Sequence, residues 1–380
     1  MTPSAPTLAL VESPVQLLNV LEWAHTRRGR EPLLAAVPAQ PGPRAGRHRP
    51  DPRTVADRLR IVVLPPTDPM SRGQLRRVAG IARDEGYAVH WQEARGGSGA
   101  PLRALAALGP AVRRAERIVV GDPFSRFVQL LLTPAAAATE LVVVDDGTAT
   151  MEFVAQLGRG ERLRRWHRTG GGPLSRAREL AYAPVSGAAR RRLRPGEGRR
   201  VELFTSMPVT PLPGTELRVN DFAWTRARFG PPRLTRGTDL VGTSLVETGV
   251  VDPVRYLEAV RALTREHGVT RYFAHRRETP EKLRALSEAT GLEIVRPDLP
   301  LELIARRGPV GRTIVSFPST VVHTLPYALT GTGVTVAVCG IDPAWLAPGA
   351  SPRARGFLAG VTDTARDVRR LPARSAPAAG

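Results

Sequence analysis

The chain holds one cysteine, Cys339, in 380 residues. No intrachain disulfide and no cysteine-based zinc site can form, which fits a reducing compartment. It also holds one lysine, Lys282, among 55 basic residues. The near-complete use of arginine, beside abundant alanine, glycine and proline, is what GC-rich coding produces, so part of the formal charge of +20 is compositional. No stretch approaches the ~20 apolar residues that a membrane-spanning helix needs. Met1 to Ala9 lacks a basic segment ahead of a long apolar run, so no signal peptide is expected. Walker, Gly-x-Gly-x-x-Gly and His-Glu-x-x-His motifs are missing. No Ser-His-Asp arrangement stands out. These absences point to a cytoplasmic protein without a bound metal or cofactor.

What is present fits two ordinary domains, each able to bury a core. The excess of positive charge attracts phosphates, anionic sugars and an acidic membrane surface. Nucleic acid is not expected as a partner, because the arginines are scattered and no recognition helix, zinc finger or aromatic RNP-like strand occurs. Short apolar runs alternate with amphipathic segments, the pattern of βα units and a parallel α/β sheet. A first series predicts strands at Thr7 to Val11, Pro32 to Val37, Arg60 to Leu64, Ala88 to Gln92, Arg117 to Gly121 and Glu140 to Val144, with helices over Arg72 to Asp84 and Leu102 to Arg114. The pattern weakens from Gly158 to Arg200, read as helices and a mobile loop, and Pro38 to Arg53 reads as a surface loop.

A second series predicts strands at Asp239 to Gly242, Arg271 to Ala274, Glu293 to Val295, Arg312 to Phe317 and Val334 to Val338. Its helices fall at Pro253 to Glu266, Pro280 to Thr290 and Ser319 to Leu329. A last helix around Ser351 to Arg369 is expected to cross back to the first domain. The expected division is 1–235, 236–370 and a disordered tail, 371–380.

Three clusters sit where a strand meets a helix. Leu141 to Val144 leads into Asp145-Asp146-Gly147, two carboxyls before a glycine that permits a sharp turn. Neighbouring side chains on a strand point opposite ways. One carboxyl therefore suits a general base and the other an anchor for the turn; an ordinary strand-to-turn junction is the plainer reading. His275-Arg276-Arg277 ends the Tyr272 to Ala274 strand and suits an anion, or else a solvated helix entry. Ser319-Thr320 opens the helix from Val321, where free N–H groups and hydroxyls suit a phosphate or simply cap the helix. Glu302 opens a short helix and is a candidate for ribose hydroxyls. Glu12, Ser13 and Gln16 follow the first strand, where a substrate loop is expected. His323 reads as a packed helix residue.

In this order the clusters resemble the bacterial sialyltransferases and polysialyltransferases. That family has an acid-acid-Gly motif, a His-Pro motif and a Ser-Ser or Ser-Thr pair, matched here by Asp145-Asp146-Gly147, His275 and Ser319-Thr320. Glu12-Ser13-Pro14-Val15-Gln16-Leu17-Leu18-Asn19 is similar to the start of the lipooligosaccharide sialyltransferase group, and Leu299 to Leu303 to its Pro-x-Glu segment. The resemblance spans most of the chain. It implies a GT-B fold, two Rossmann-like domains facing a central cleft, and inverting, metal-independent transfer from CMP-sialic acid to a glycan. His275 is followed by Arg276 where the family has proline, which leaves room for another CMP-linked nonulosonic or ulosonic acid.

By this resemblance Asp145, ahead of Asp146, is the base. His275 assists departure of the phosphate, and Ser319, Thr320, Glu302, Arg276 and Gly147 bind the donor. Glu12, Ser13 and Gln16 bind the acceptor, which the charge allows to be anionic. The charge also admits peripheral attachment to the inner membrane face. Two other readings stand beside this one: a GT-B enzyme using a UDP- or GDP-sugar (or a related sugar-nucleotide epimerase), and a noncatalytic polyanion-binding protein.

Overall fold

The computed structural model describes residues 6–28, 59–97, 99–165, 173–350 and 352–372. The strand expected at Pro32 to Val37, the loop expected at Pro38 to Arg53 and residues 373–380 of the tail expected from 371 lie outside them; Leu371 is instead buried at the end of a strand. Contacts divide the chain into two units, Met1–Asn220 and Asp221–Gly380. The division falls ahead of the expected 235/236 because the first helix after it, Ala223–Phe229, belongs to the second unit: Arg226 donates to the carbonyl of Tyr327 at 3.2 Å.

The first unit contains β1 (Thr7–Val11), α1 (Pro14–Arg28), β2 (Leu59–Val63), α2 (Pro69–Asp84), β3 (Ala88–Trp91), α3 (Ala100–Arg114) and β4 (Arg117–Val120). These are followed by α4 (Arg126–Leu132), β5 (Glu140–Val144), α5 (Thr148–Gly158), α6 (Pro173–Arg192), β6 (Arg200–Thr205) and β7 (Thr215–Val219). All its strands are parallel, in the order β3-β2-β1-β4-β5-β6-β7. Because both faces are covered by helices, central strands are continuous apolar runs. Leu141, Val142, Val143 and Val144 are each no more than 1% exposed. Leu8, Leu10, Val120, Leu141 and Val143 pack with Leu108, Val112, Val128 and Leu131 of the covering helices. Each such side chain contributes about 1.5–3 kcal/mol by leaving water.

The second unit contains α7 (Ala223–Phe229), β8 (Leu234–Val241), α8 (Pro253–His267), β9 (Val269–Phe273), α9 (Pro280–Thr290), β10 (Glu293–Val295) and α10 (Leu301–Arg307). After these come β11 (Val310–Ser316), α11 (Val321–Ala328), β12 (Thr335–Cys339), α12 (Pro352–Thr364) and β13 (Arg369–Leu371). Its parallel sheet runs β10-β9-β8-β11-β12-β13. Each sheet therefore reverses direction once, between β1 and β4 and between β8 and β11. In sheets of this kind the crevice outside the carboxyl ends at that reversal is where ligands bind.

Helix starts follow their caps. Asp68 accepts from Ser71 N–H at 2.8 Å ahead of Pro69. Asp252 accepts from Val254 and Arg255 N–H at 2.9 and 3.0 Å, and Thr279 accepts from Lys282 N–H at 3.3 Å ahead of Pro280. Such caps contribute about 1 kcal/mol each.

Two expectations are corrected. The last helix, expected to reach the first domain, packs in the second unit: Leu358 lies in its core with Leu371 and Cys339, and Val361 packs with Val322 and Val338. It also ends at Thr364, and Arg369 begins an edge strand instead, paired to β12. Three strands, β6, β7 and β13, were not read from the sequence.

Candidate functional site

The carboxyl end of β5 turns through Asp145, Asp146 and Gly147, where Gly147 takes φ +66° and starts α5. Asp145 points into the unit and is 1% exposed. Its Oδ1 accepts from the Thr150 hydroxyl at 2.7 Å. Its Oδ2 accepts from the Ser206 N–H and hydroxyl, both at 3.0 Å. Its carbonyl accepts from Asn19 at 2.9 Å, and Asn220 in turn donates to Asn19 at 2.9 Å. Burial raises the Asp145 carboxyl pKa, opposed by these hydrogen bonds. Asp145 thus ties β5, α5, β6, α1 and the end of the unit together.

Asp146 points the other way and reaches the surface. Gln16 donates to its Oδ1 at 2.9 Å, and Arg165 to its Oδ2 at 2.5 Å. Burial, and then the nearby Asp122 carboxylate, lift its pKa to about 6 against the pull of Arg165 and Gln16. A carboxylate in this state is ionised at neutral pH and more basic than an ordinary aspartate. Asp145 was expected ahead of Asp146 as the base; of the two, Asp145 is sealed in with its oxygens occupied by internal donors, and Asp146 is the one that reaches the surface.

Around Asp146 the ends of β1 and β4 supply the remaining groups. Gln16 also accepts from the Glu12 N–H at 2.7 Å, so its amide holds the first loop and Asp146 together. It lies across Gly121, where a Cβ would stand 2.4 Å from Gln16 Oε1. Ser13 caps α1, accepting from the Gln16 N–H at 3.2 Å. Of the three residues expected at the acceptor, Ser13 and Gln16 thus have internal partners. Glu12 pairs with Arg95 at 2.5 Å and accepts from Ser125 at 2.8 Å. Burial, strengthened by Asp122 and opposed by Arg95, lifts the Glu12 pKa to about 7.

Asp122 and Arg165 were not singled out in the sequence. Asp122 accepts from the Phe124 N–H at 2.8 Å and pairs with Arg165 at 2.9 Å. Arg165 bridges two carboxylates and stacks toward Phe124, 5.9 Å from the ring centre. The one available signal was Gly121-Asp122-Pro123 at the carboxyl end of β4, the strand beside β1 at the reversal.

In the second unit His275 follows β9 and is half-buried. Its N–H donates to Glu278 Oε2 at 2.6 Å, and its Nδ1 accepts from the Arg277 N–H at 3.2 Å. That bond leaves the proton on Nε2. Burial, then Arg276, Arg277 and Lys282, push the imidazole pKa down to about 4, so it is neutral at pH 7. Arg276 is exposed beside it. Glu278 is buried and anchors the turn: it accepts from Tyr272 at 2.5 Å and pairs with Lys282 at 2.7 Å. Lys282 also pairs with Glu247 at 3.1 Å, donates to the Thr243 carbonyl at 3.3 Å and lies 4.3 Å from the centre of the Tyr256 ring. Thr243 and Glu247 belong to the Gly242–Gly249 turn, which is therefore stapled to α9.

Beyond β11, Ser319 shares a hydrogen bond with Ser316 at 3.1 Å, and Thr320 immediately precedes α11 without capping it through its side chain. Glu302 is buried and its Oε1 accepts from Thr324 at 2.6 Å, linking α10 to α11. His323 is buried in α11 with its Nε2 unpartnered, and burial lowers its pKa to about 4. Among the described residues no group of three His, Cys, Asp or Glu is placed to hold a metal, and no helix is long and apolar enough to cross a membrane.

No family model matches the chain, and no curated protein sequence matches it. Among solved structures, it is similar to the α/β-galactoside α-2,3-sialyltransferase of the luminous marine bacterium Photobacterium phosphoreum. The TM-score is 0.51 at 7% identity, over 96% of this chain and 97% of that one. A putative UDP-N-acetylglucosamine 2-epimerase of Listeria monocytogenes aligns with a TM-score of 0.42 at 10% identity, over 94% and 87% of the two chains. The E. coli heptosyltransferase WaaC, solved with ADP-2-deoxy-2-fluoro heptose, aligns with a TM-score of 0.39 at 12% identity, over 89% and 90%. Two parallel α/β units in one chain, with the first of these likenesses, make the fold GT-B in type.

Proposed function

We propose that the protein is a glycosyltransferase that moves a sialic acid or related nonulosonic acid from a CMP-linked donor to a glycan hydroxyl, with inversion. The observation that carries this reading is the Asp146 carboxylate: basic, half-buried at the carboxyl end of a parallel sheet, and held from both sides by Gln16 and Arg165. The order of the Asp145-Asp146-Gly147, His275 and Ser319-Thr320 clusters on a GT-B scaffold supports the donor class.

In the proposed reaction the acceptor oxygen bonds to the anomeric carbon as its proton passes to Asp146. The bond from that carbon to the phosphate oxygen breaks, and its electron pair leaves with CMP. The carbon passes through an oxocarbenium-like state. Negative charge grows on the departing phosphate, and fixed donors aimed at it lower the barrier. His275 offers its Nε2–H as such a donor, in the neutral form. A bound phosphate beside it raises its pKa by charge attraction, which favours the protonated imidazole and so strengthens its hydrogen bond to the phosphate as charge grows there. Ser319, Thr320 and the first N–H groups of α11 are the other donors. Asp145 holds the turn. Glu302 contributes by fixing α10 against α11.

Calorimetric titration with CMP tests the donor class. CMP is expected to bind, and His275→Ala and Ser319→Ala to weaken it at least about tenfold each, about 1.4 kcal/mol. Binding of UDP or GDP in place of CMP would overturn the donor assignment and leave a sugar-nucleotide enzyme. Failure of all three would overturn the enzyme reading and leave a polyanion-binding protein.

A further inference from the structure

The first unit contains a cavity of about 400 Å³, walled by residues after β1, β3 and β4, by α4, and by the middle of α6. That size falls in the range of small-molecule sites, about 300–1,000 Å³. Two of its lining residues carry polar atoms with no hydrogen-bond partner, Ser186 Oγ and Gln129 Oε1. Their residues are only 5% and 1% exposed. Gln129 donates its amide hydrogens to the carbonyls of Pro123 and Leu163 at 2.9 and 3.2 Å, so only its carbonyl oxygen is left over. Buried polar groups without partners are rare in folded proteins, and each asks for an explanation. Here a ligand with hydroxyls explains both: one donates to Gln129 Oε1 and one exchanges a hydrogen bond with Ser186.

The rest of the lining narrows the ligand. Phe124, Phe127, Leu130 and Leu163 supply apolar surface suited to the C–H face of a pyranose ring. Five arginines line the cavity against only two carboxyls, Glu12 and Asp122. Of those arginines, Arg126, Arg162 and Arg164 are exposed. Arg165 is a wall of the cavity and also the 2.5 Å partner of Asp146, so an occupant sits beside the proposed base.

We infer that this cavity receives the acceptor, and that the acceptor residue it holds is a hexose bearing an anionic group, a carboxylate or a phosphate. Calling the occupant the acceptor rests on the transferase reading; the recognition of an anionic sugar does not.

Ligand-observed NMR titration of the full chain with D-glucuronate, glucose 6-phosphate and glucose tests the inference, with CMP titrated in parallel. At least one charged hexose is expected to bind tenfold or more tighter than glucose, and the better of the two identifies the anionic group. Arg162→Ala, an exposed change, and Ser186→Ala are each expected to weaken that binding at least fivefold, while Arg284→Ala in the second unit leaves it unchanged. Without ligand, Ser186→Ala is expected to melt no lower than the wild type, since it deletes an unpartnered buried hydroxyl, so a loss of binding is not a loss of fold. Equal binding of glucose, or charged-hexose binding indifferent to both Arg162→Ala and Ser186→Ala, overturns the inference. CMP binding without any hexose binding also overturns it and leaves the transferase reading intact. Hexose binding with no nucleotide binding keeps the cavity as an anionic-sugar site and removes the transferase reading.

Discussion

Asp145 and Asp146 are adjacent in sequence and opposite in circumstance, and substitution separates them. Asp146→Asn keeps the Gln16 side of the contact and removes the proton acceptor, so turnover is expected to fall about 10²–10⁴-fold with CMP affinity unchanged, as read by single-turnover transfer and calorimetry. In the wild type the rate is expected to climb with pH on a limb centred at about 6, where Asp146 ionises; a limb at an ordinary aspartate value would count against this base. Asp145→Asn places an amide where three internal donors converge. A loss of about 1–3 kcal/mol is expected, with the midpoint of a denaturant titration as the measure.

Glu12 obeys a different rule. Its folded pKa of about 7 lies above the usual 4.5, so the folded state prefers the proton and loses stability as pH rises from about 4.5 through 7. Glu12→Gln removes that loss: the melting temperature should rise by about 2–4 °C at pH 8 and stay unchanged at pH 4.

At the scale of elements, close approach decides what the turns tolerate. A Cβ at Gly121 meets Gln16 at 2.4 Å, and one at Gly242 meets Glu278 at 2.3 Å and the Tyr272 hydroxyl at 2.6 Å. Gly121→Ala is therefore expected to displace Gln16 from Asp146 and lower the rate with little change in CMP affinity. Gly242→Ala disturbs the turn that carries His275 and should weaken CMP binding; the same two assays distinguish them. Where elements were legible in the sequence, the cause was strong apolar contrast or a cap. Thr7–Val11, Glu140–Val144 and Glu293–Val295 have the bounds expected, and α9 runs from its Thr279-Pro280 start to Gly291. β6 was hidden because Glu202 sits inside it: that carboxylate is buried and satisfied by Trp23 at 3.1 Å, and by Arg27 and Arg218, none of which are its sequence neighbours. β7 and β13 were hidden because they carry mostly exposed residues. Asp122 and Arg165 act through a carboxylate 24 and 19 positions away, and local pattern carries no record of such a meeting.

For the whole molecule, the formal charge of +20 is a separate property from the site. Retention on an anionic resin should fall steeply with salt and be the same for Asp146→Asn as for the wild type, whereas turnover should not track retention across arginine surface variants. The solitary Lys282 has a consequence of another sort. It is held by two carboxylates and an aromatic face inside the start of α9, and a protease that cuts only after lysine finds no other target in the chain. Cleavage into 1–282 and 283–380 must wait for that helix to open. The chain carries its own gauge of local opening in the second unit, readable as one band becoming two, and a nucleotide that engages the neighbouring His275 turn should slow the conversion.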